Sequence, residues 1–326
     1  MLKTFPLRAR WSLAALALAA AGLVMAAADT ATPTNQLRSA PHFVQAEKLP
    51  VIAATRAGNR IVAVGDYGGV LLSDDGKAFR QARTVPTRSV LTSVYFIDAQ
   101  HGWAAGHDGT LLGTSDGGET WAVLHEELGK ERALMAVWFE NAQHGLAVGQ
   151  FGLALETDDG GKTWKERHLV DDRDDGERHL MALFAAPQGL LFAAAESGGV
   201  FRSADNGRSW ALVQTENKGS FWAGQALKDG SLLLVGLRGH IYRSTDQGQH
   251  WQEVPSGTQQ SLTAVAQLAD GKVQAVGMSG AVLTSTDNGA SFTAKLRGDR
   301  VNLTTLVPGA GAPLLFSLGG LVAAAP

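Results

Sequence analysis

Carboxylates, three tyrosines and a set of scattered cations are the side chains of this 326-residue chain best suited to chemistry. Hydrolysis of a glycosidic bond would need an acid paired with a nucleophile, close to cations that hold the substrate. Asp66, followed directly by Tyr67, is the best such pair, because Tyr95 and Tyr242 fall in strand-like segments. No Ser-His-Asp arrangement, phosphate-binding loop or dinucleotide motif stands out, and we expect no enzymatic activity.

Six other aspartates belong to one short recurring motif, Ser/Thr-x-Asp-x-Gly-x-Ser/Thr-aromatic or close to it. The aspartates are Asp74, Asp116, Asp159, Asp205, Asp246 and Asp287. The aromatic residues are Phe79, Trp121, Trp164, Trp210, Trp251 and Phe292, which lie 42, 43, 46, 41 and 41 residues apart. An Asp side chain can close a turn by accepting bonds from backbone N–H groups, and the aromatic ring would pack between neighbouring units. We interpret these residues as structural, because catalysis by them would require six equivalent active sites.

The elements that carry the motif are short strands. A period of about 40 residues with strand-like content indicates a propeller or a solenoid. In the second unit, residues 91–96, 103–106, 110–113 and 120–124 read as four strands separated by turns, which is the content of one propeller blade. A seventh unit begins at residue 301 with three strands and no Asp motif, and residues 43–45 could supply its missing strand. We therefore predict an all-β, seven-bladed propeller of four-stranded antiparallel blades over residues 43–326, with the last blade closed by the N-terminal strand.

The N-terminal segment has the features of an export signal. Residues 1–28 combine three basic residues, an apolar stretch and a small-residue end, and residues 29–42 read as a flexible polar lead-in. The alternative is an uncleaved membrane anchor. Without the leader the chain has 25 basic and 31 acidic residues, which argues against nucleic-acid binding. The lack of cysteine excludes disulfides, thiolate metal sites and a Cys nucleophile. We predict a periplasmic or secreted protein.

The repeat also contains a longer pattern, AVGxxGxxLxTxDxGxxW, which residues 147–164 match throughout. With this pattern the chain resembles the photosystem II stability/assembly factor family of Asp-box (BNR-repeat) propellers. The resemblance implies a non-enzymatic, cofactor-free propeller outside the cytoplasm, in the thylakoid lumen of a phototroph, that binds newly made reaction-centre protein. Similar chains in non-phototrophs suggest an accessory role in envelope transport or secretion instead. The chain departs from many family members in lacking a lipobox Cys.

Sialidases and other glycosidases are also Asp-box propellers. A sialidase-like hydrolase or a glycan-binding propeller therefore remains an alternative, with Trp138, Trp222 and Phe151 as candidates for stacking on sugars.

Cations occur shortly before most of the predicted inner strands. These residues are Lys48, Arg88, Arg132, Arg178, Lys218 and Arg300, and Arg238 in a turn between a second and a third strand is expected on the same face. We interpret them as a ring of positive charge that binds an acidic segment of a membrane protein or complex. The resemblance is compatible with this, since family members are thought to hold their client with an arginine-rich patch. The alternative is ordinary solvated loop charge.

One acidic loop and the scattered histidines are the remaining candidates for ligand binding. Residues 171–177 could bind a divalent cation but lack EF-hand spacing, and a solvated loop is the simpler interpretation. No pair of histidines has the helix-face spacing of a metal site. We therefore expect a monomer with no metal and no cofactor.

Overall fold

A computed structural model describes residues 38–171, 176–309 and 311–323. The predicted signal peptide, most of the predicted lead-in and residues 172–175 of the acidic loop lie outside these residues. In the part of the chain that the structure describes, no helix is both long enough and apolar enough to cross a membrane.

The described residues form seven antiparallel sheets, in which consecutive strands are neighbours. Blade 1 contains β1 (Val51–Ala57), β2 (Arg60–Gly65), β3 (Val70–Ser73) and β4 (Arg80–Gln81). Blade 2 contains β5 (Leu91–Phe96), β6 (Gly102–Gly106), β7 (Leu111–Thr114) and β8 (Ala122–His125). Blade 3 contains β9 (Leu134–Phe139), β10 (Gly145–Gly149), β11 (Ala154–Thr157) and β12 (Lys165–Arg167). Blade 4 contains β13 (Leu180–Ala186), β14 (Leu190–Ala195), β15 (Gly199–Ser203) and β16 (Ala211–Gln214).

The remaining three blades continue the same meander. Blade 5 contains β17 (Phe221–Ala226), β18 (Leu232–Gly236), β19 (Ile241–Ser244) and β20 (Gln252–Val254). Blade 6 contains β21 (Leu262–Gln267), β22 (Val273–Gly277), β23 (Ala281–Ser285) and β24 (Thr293–Leu296). Blade 7 contains β25 (Leu303–Val307), β26 (Leu314–Ser317) and β27 (Gly320–Val322). Short 3-10 turns occur at Ala46–Lys48, Asp66–Gly68, Gln150–Gly152, Leu237–Gly239 and Met278–Gly280. The predicted seven-bladed propeller is confirmed.

The ring closes between blades 7 and 1. Blade 7 has three strands in the described residues, and residues 43–45 form no strand, so closure by an N-terminal strand is not confirmed. The inner strands of blades 7 and 1 meet directly, where the Thr304 hydroxyl donates to the Val51 carbonyl at 2.7 Å. Phe316 of blade 7 packs with Val51 and Ile61 of blade 1 in one buried apolar cluster.

The apolar core lies between the blades. Each pair of adjacent blades encloses one cluster; between blades 1 and 2, for example, Val62 and Leu72 pack with Leu112 and Trp121. The second strand of a blade is covered on both faces, and every residue of β6, β10, β14 and β18 is buried. This explains why second strands read as continuous apolar runs such as Leu-Leu-Leu-Val. Each fully buried large side chain contributes about 1.5–3 kcal/mol.

The Asp-box turns between third and fourth strands are closed by their aspartates. The Asp159 carboxylate accepts bonds from the hydroxyl of Thr157 at 2.9 Å and from the amide and hydroxyl of Thr163 at 2.9 and 2.6 Å. The bonds from Thr163 hold the pKa of Asp159 at about 2. In the fifth copy His250 replaces the threonine, and its Nδ1 lies 2.7 Å from Asp246 Oδ2. Asp116, Asp205 and Asp287 accept the same set of bonds.

The aromatic residues of the motif lie at the junctions between blades. The indole N–H groups of Trp121 and Trp210 donate to the carbonyls of Gly118 and Gly207, three residues earlier. Trp121, Trp164 and Trp251 also form T-shaped contacts with phenylalanine rings, at centroid distances of 6.1, 5.9 and 6.2 Å. The motif therefore joins a turn to the core between two blades.

The first, degenerate copy requires a correction. Asp75, not Asp74, closes this turn: its Oδ1 accepts bonds from the Ser73 hydroxyl and from the amides of Lys77 and Ala78 at 2.8–3.1 Å. Asp74 points elsewhere and pairs with Arg60 at 2.6 Å. The copy is one residue shorter than the others, and the Ser-x-Asp spacing, which places the acceptor beside the serine, identifies Asp75.

Candidate protein-binding face

Two families of loops form one face of the propeller. These are the loops that lead into the inner strands and the turns that join second to third strands; we call this surface the top face. The turns of blades 2, 3 and 4 each donate a glycine N–H to the inner-strand loop of the next blade, to Arg132 O at 2.7 Å, Arg178 O at 3.0 Å and Gly219 O at 2.8 Å. Adjacent blades are thereby joined across the top face.

Close backbone approach explains the glycines of the Ala-Val-Gly-x-x-Gly pattern. A Cβ on Gly149 would lie 2.0 Å from the carbonyl oxygen of Ala133 in the loop of the same blade. A Cβ on Gly152, where φ is +68°, would lie 1.6 Å from the carbonyl oxygen of Gly176 in the loop of the next blade. The pattern therefore builds the top face, with the turn seated between two loops.

The residue before the second glycine adopts a left-handed conformation in six blades. These residues are Tyr67, Asp108, Phe151, Ser197, Arg238 and Ser279, with φ between 52° and 57°. Non-glycine residues adopt this region rarely, and its repetition results from the tight turn. These positions present Tyr, Asp, Phe, Arg and, twice, Ser side chains on the top face.

Five of the seven predicted cations are exposed on this face. Lys48, Arg88, Lys218, Arg238 and Arg300 form no ion pair within the described residues, although Arg88 Nε donates to the Ser39 carbonyl at 3.0 Å. They belong to the loops and turns of blades 1, 2, 5 and 7, and Lys218 and Arg238 line one pocket of about 410 Å³ in blade 5.

The other two cations have structural contacts. Arg132 is paired with Glu127 at 3.0 Å and Glu166 at 2.7 Å, and bonding to Glu166 raises its pKa. The half-buried Arg178 donates to the Gln214 side chain at 2.9 Å and helps to hold the loops of blade 4. Carboxylates also occur among the exposed cations, since Glu47 precedes Lys48 and Glu216 lines the blade 5 pocket. The charge of the top face is therefore mixed rather than a uniform positive ring.

Exposed apolar side chains accompany the cations, and of these the sequence analysis had singled out only Tyr67 and Phe151. Tyr67, Leu128, Phe151, Met278 and Leu318 lie in top-face loops and turns, and Phe151 is 70% exposed. Three of them occupy the variable positions of the Gly-x-x-Gly turns, so this pattern could have located them. Exposed apolar groups interspersed with cations are typical of a protein-binding surface.

An apolar cavity of about 550 Å³ lies at the top-face end of the central channel. All seven inner strands contribute to its wall, each through at least its second and third residues. Trp222 lines this cavity, whereas Trp138 is buried between blades 3 and 4. Of the three aromatic candidates for sugar stacking, Trp138 is therefore inaccessible.

The candidate catalytic residue Asp66 and the acidic residues in the equivalent turns of blades 2 and 4 all accept hydrogen bonds from neighbouring groups. Asp66 Oδ1 accepts the amide of Tyr67 at 2.7 Å, and Asp108 accepts the hydroxyl of Ser89 at 2.8 Å. Glu196, in the equivalent turn of blade 4, accepts the amide of His179 at 2.8 Å. Each of these carboxylates therefore has a structural role, in holding a turn or joining a turn to a loop.

One histidine lies beside two carboxylates on the opposite face. One side-chain nitrogen or oxygen atom from each of His144, Glu156 and Asp158 could ligate a metal ion, and these atoms lie within 4.8 Å of one another. Arg167 already pairs with Glu156 at 2.9 Å, and the buried His144 ring contacts Asp158 Oδ1 at 2.8 Å and the Asn206 carbonyl at 3.1 Å. These contacts join blade 3 to the Asp-box turn of blade 4.

The repeats match the family model described as photosynthesis system II assembly factor YCF48, over residues 72–132 and 124–292. The chain belongs to this family. Photosystem II assembly protein Ycf48 of Thermosynechococcus vestitus (strain NIES-2133 / IAM M-273 / BP-1) is 44% identical over 41 residues, which are 13% of this chain and 12% of that protein. This match thus spans about an eighth of the length of the curated relative.

Solved structures share the fold at low sequence identity. A structure of YCF48 bound to a D1 peptide has 18% identity and a TM-score of 0.66, with 86% of this chain and 97% of that chain covered. YCF48 from Cyanidioschyzon merolae has 18% identity and a TM-score of 0.63, covering 87% and 97%. A streptogramin B lyase, at 12% identity, has a TM-score of 0.71 and covers 86% and 94%. An assembly protein and an enzyme therefore share this architecture, and function depends on the residues that the scaffold presents.

Proposed function

We propose that this chain is a non-enzymatic scaffold that binds a membrane protein during assembly of a photosystem II-type complex. The observation that carries the proposal is the top face, where exposed cations and exposed apolar side chains lie around the mouth of the central channel. Family membership and the D1 peptide bound by a YCF48 of the same fold support it.

The chemistry of the top face indicates the kind of segment it would bind. Lys218 and Arg238 share one pocket without an ion pair among the described residues, so a partner carboxylate could be bound there. Tyr67 and Phe151, 49% and 70% exposed, offer apolar contact area in the turns of blades 1 and 3 on the same face. A partner segment with both acidic and apolar side chains would match this surface, and its association would slow as salt increases.

Export and a monomeric state belong to the same proposal. The N-terminal sequence favours a periplasmic or secreted location, or the thylakoid lumen in a phototroph, with a retained membrane anchor as the alternative. In a non-phototroph the same surface would serve a transport or secretion complex of the envelope.

The test is a crosslinking pulldown from membranes of the source organism with the tagged mature chain. The variant is Lys218→Gln with Arg238→Gln, because Arg132 and Arg178 hold the loops themselves and their replacement would disturb the face. The matched control is Lys77→Gln with Lys162→Gln, which removes two exposed cations from Asp-box turns on the opposite face. We expect the variant to capture its client about tenfold less well and the control to behave as wild type.

The outcomes separate the alternatives. A photosystem II subunit as client supports the assembly role, whereas a transport or secretion complex favours the accessory role. Equal capture by wild type, variant and control would refute binding through the top-face cations. Sugar release by the purified chain from a glycan panel would refute the non-enzymatic assignment.

A further inference from the structure

Every inner strand carries the same irregularity. In all seven blades the pairing between the first and second strands skips the second residue of the inner strand, which is a β-bulge. A bulge redirects a side chain away from the regular alternation. All seven skipped residues line the apolar cavity at the top-face end of the channel. The bulges thus produce a ring of side chains around the channel.

The ring divides into two chemical classes. In blades 2, 6 and 7 the bulged residue is Thr92, Thr263 or Thr304, whose hydroxyl donates to the first carbonyl of the next inner strand at 2.6, 2.8 or 2.7 Å. These threonines join adjacent blades. The bulged residues of the other blades carry no hydroxyl and do not make this bond.

Those other residues are large and apolar. They are Ile52, Met135, Met181 and Trp222, of which the last three lie on the consecutive blades 3, 4 and 5. Met278, in a turn of blade 6 and 36% exposed, also lines the cavity. Flexible methionines beside an indole ring can adapt to a bulky apolar group. A cavity of about 550 Å³ is within the range of ligand pockets.

We propose that this cavity is a binding pocket for a large apolar side chain of a peptide segment whose flanking carboxylates contact the top-face cations. The inference rests on the proposed function and specifies the partner's chemistry. Charge complementarity selects the occupant, because Lys48, Arg88, Lys218, Arg238 and Arg300, which have no ion pair among the described residues, occupy loops and turns of the same face as the cavity mouth. A purely apolar segment would leave those cations without partners.

The test measures anisotropy of two labelled twelve-residue peptides made of Glu, Gly and Ser, one with a central Phe and one with Ser in its place. We expect wild type to bind the Phe peptide at least about tenfold more tightly, as for an anchor residue in a pocket. Trp222→Ala, which widens the cavity, and Ile52→Trp, which fills it, should each abolish this preference while leaving the Ser peptide unchanged. Val123→Ala, on the exposed outer strand β8, is the control. Thermal melts establish that each variant folds.

The possible results test the pocket and the proposed function separately. Equal binding of both peptides, or a Phe preference that survives in both variants, refutes the pocket, while salt-sensitive binding of both peptides still supports the proposed function. Failure of both peptides to bind refutes the pocket too, and the membrane pulldown then tests the proposed function independently. Binding of decanoate without either peptide would assign the cavity to small amphiphiles instead and refute the peptide occupant.

Discussion

Replacing Asp205 tests whether the Asp-box carboxylates stabilise the propeller through their charge. Its Oδ1 accepts bonds from the Ser203 hydroxyl at 2.7 Å and the Ser209 amide at 2.8 Å, and its Oδ2 accepts the Ser209 hydroxyl at 2.5 Å. Burial opposes ionisation, but these bonds outweigh it and hold the pKa of Asp205 at about 2. Asp205→Asn removes the charge while keeping one acceptor oxygen, and Asp205→Ala removes all three bonds.

The expected magnitude follows from the pKa. A value near 2 against an ordinary 3.8 corresponds to at most about 2.4 kcal/mol. Solvent screening of the partly exposed carboxylate reduces this to about 1–2 kcal/mol for Asp205→Asn. Loss of all three bonds in Asp205→Ala should cost about 2–3 kcal/mol. Since the folded-state pKa lies below the unfolded one, this stabilisation is complete above about pH 4 and is lost as the pH falls towards 2.

Urea unfolding followed by tryptophan fluorescence at pH 7, 5 and 3 measures the penalty. For Asp205→Asn we expect equal penalties at pH 7 and 5 and about half as much at pH 3. Glu131→Gln is the control, because this exposed glutamate makes no side-chain hydrogen bond or ion pair with the described residues. A penalty at pH 3 equal to that at pH 7, or an equal effect of Glu131→Gln, would refute the charge-based reasoning.

Three further substitutions test other parts of the scaffold, each by its effect on unfolding. Asp75→Ala should lower the melting temperature more than Asp74→Ala, because Asp75 closes the first turn; the reverse order would restore the assignment made from sequence. Thr304→Val should cost about 1 kcal/mol by leaving the first carbonyl of β1 without its donor, and no loss would mean that this bond does not help to close the ring. Gly152→Ala should destabilise far more than Gly129→Ala, since both have positive φ but only Gly152 faces backbone at close range; equal effects would contradict the close-packing account of the top face.

The fold was predictable because each propeller blade corresponds to one sequence repeat of nearly constant length. Each blade repeats a Gly-punctuated pattern of about 40 residues, and the turn aspartates and aromatics mark the same place in each copy. Two details were not. In the first copy one residue is missing between the aspartate and the glycine, so that counting back from Gly76 gives Asp74, whereas the Ser-x-Asp spacing from Ser73 gives the observed acceptor Asp75. At the ring closure, pairing of residues 43–45 with the last blade depends on contacts between chain ends, which periodicity does not encode.

For the candidate site, the sequence predicted where the cations lie but not which contacts they make. The sequence locates the cations in loops that share a face, because loop order follows strand order. It does not reveal that Glu127 and Glu166 pair with Arg132, because Glu166 lies 34 residues away in β12. Phe151, in contrast, lies in a Gly-x-x-Gly turn, and that position in the sequence is compatible with an exposed aromatic side chain. Its left-handed conformation, with φ of 52°, turns it towards solvent.

Differences among the repeats are more informative about binding than their similarities. A bulge occurs in all seven inner strands, so the bulge itself belongs to the scaffold. At that position threonine joins blades in one part of the ring, and Met135, Met181 and Trp222 follow one another in another part. If packing alone determined these residues, the interblade bond that suits three blades would suit all seven. The absence of that bond where large apolar groups line the channel supports the proposed peptide pocket, because a peptide does not share the symmetry of a propeller.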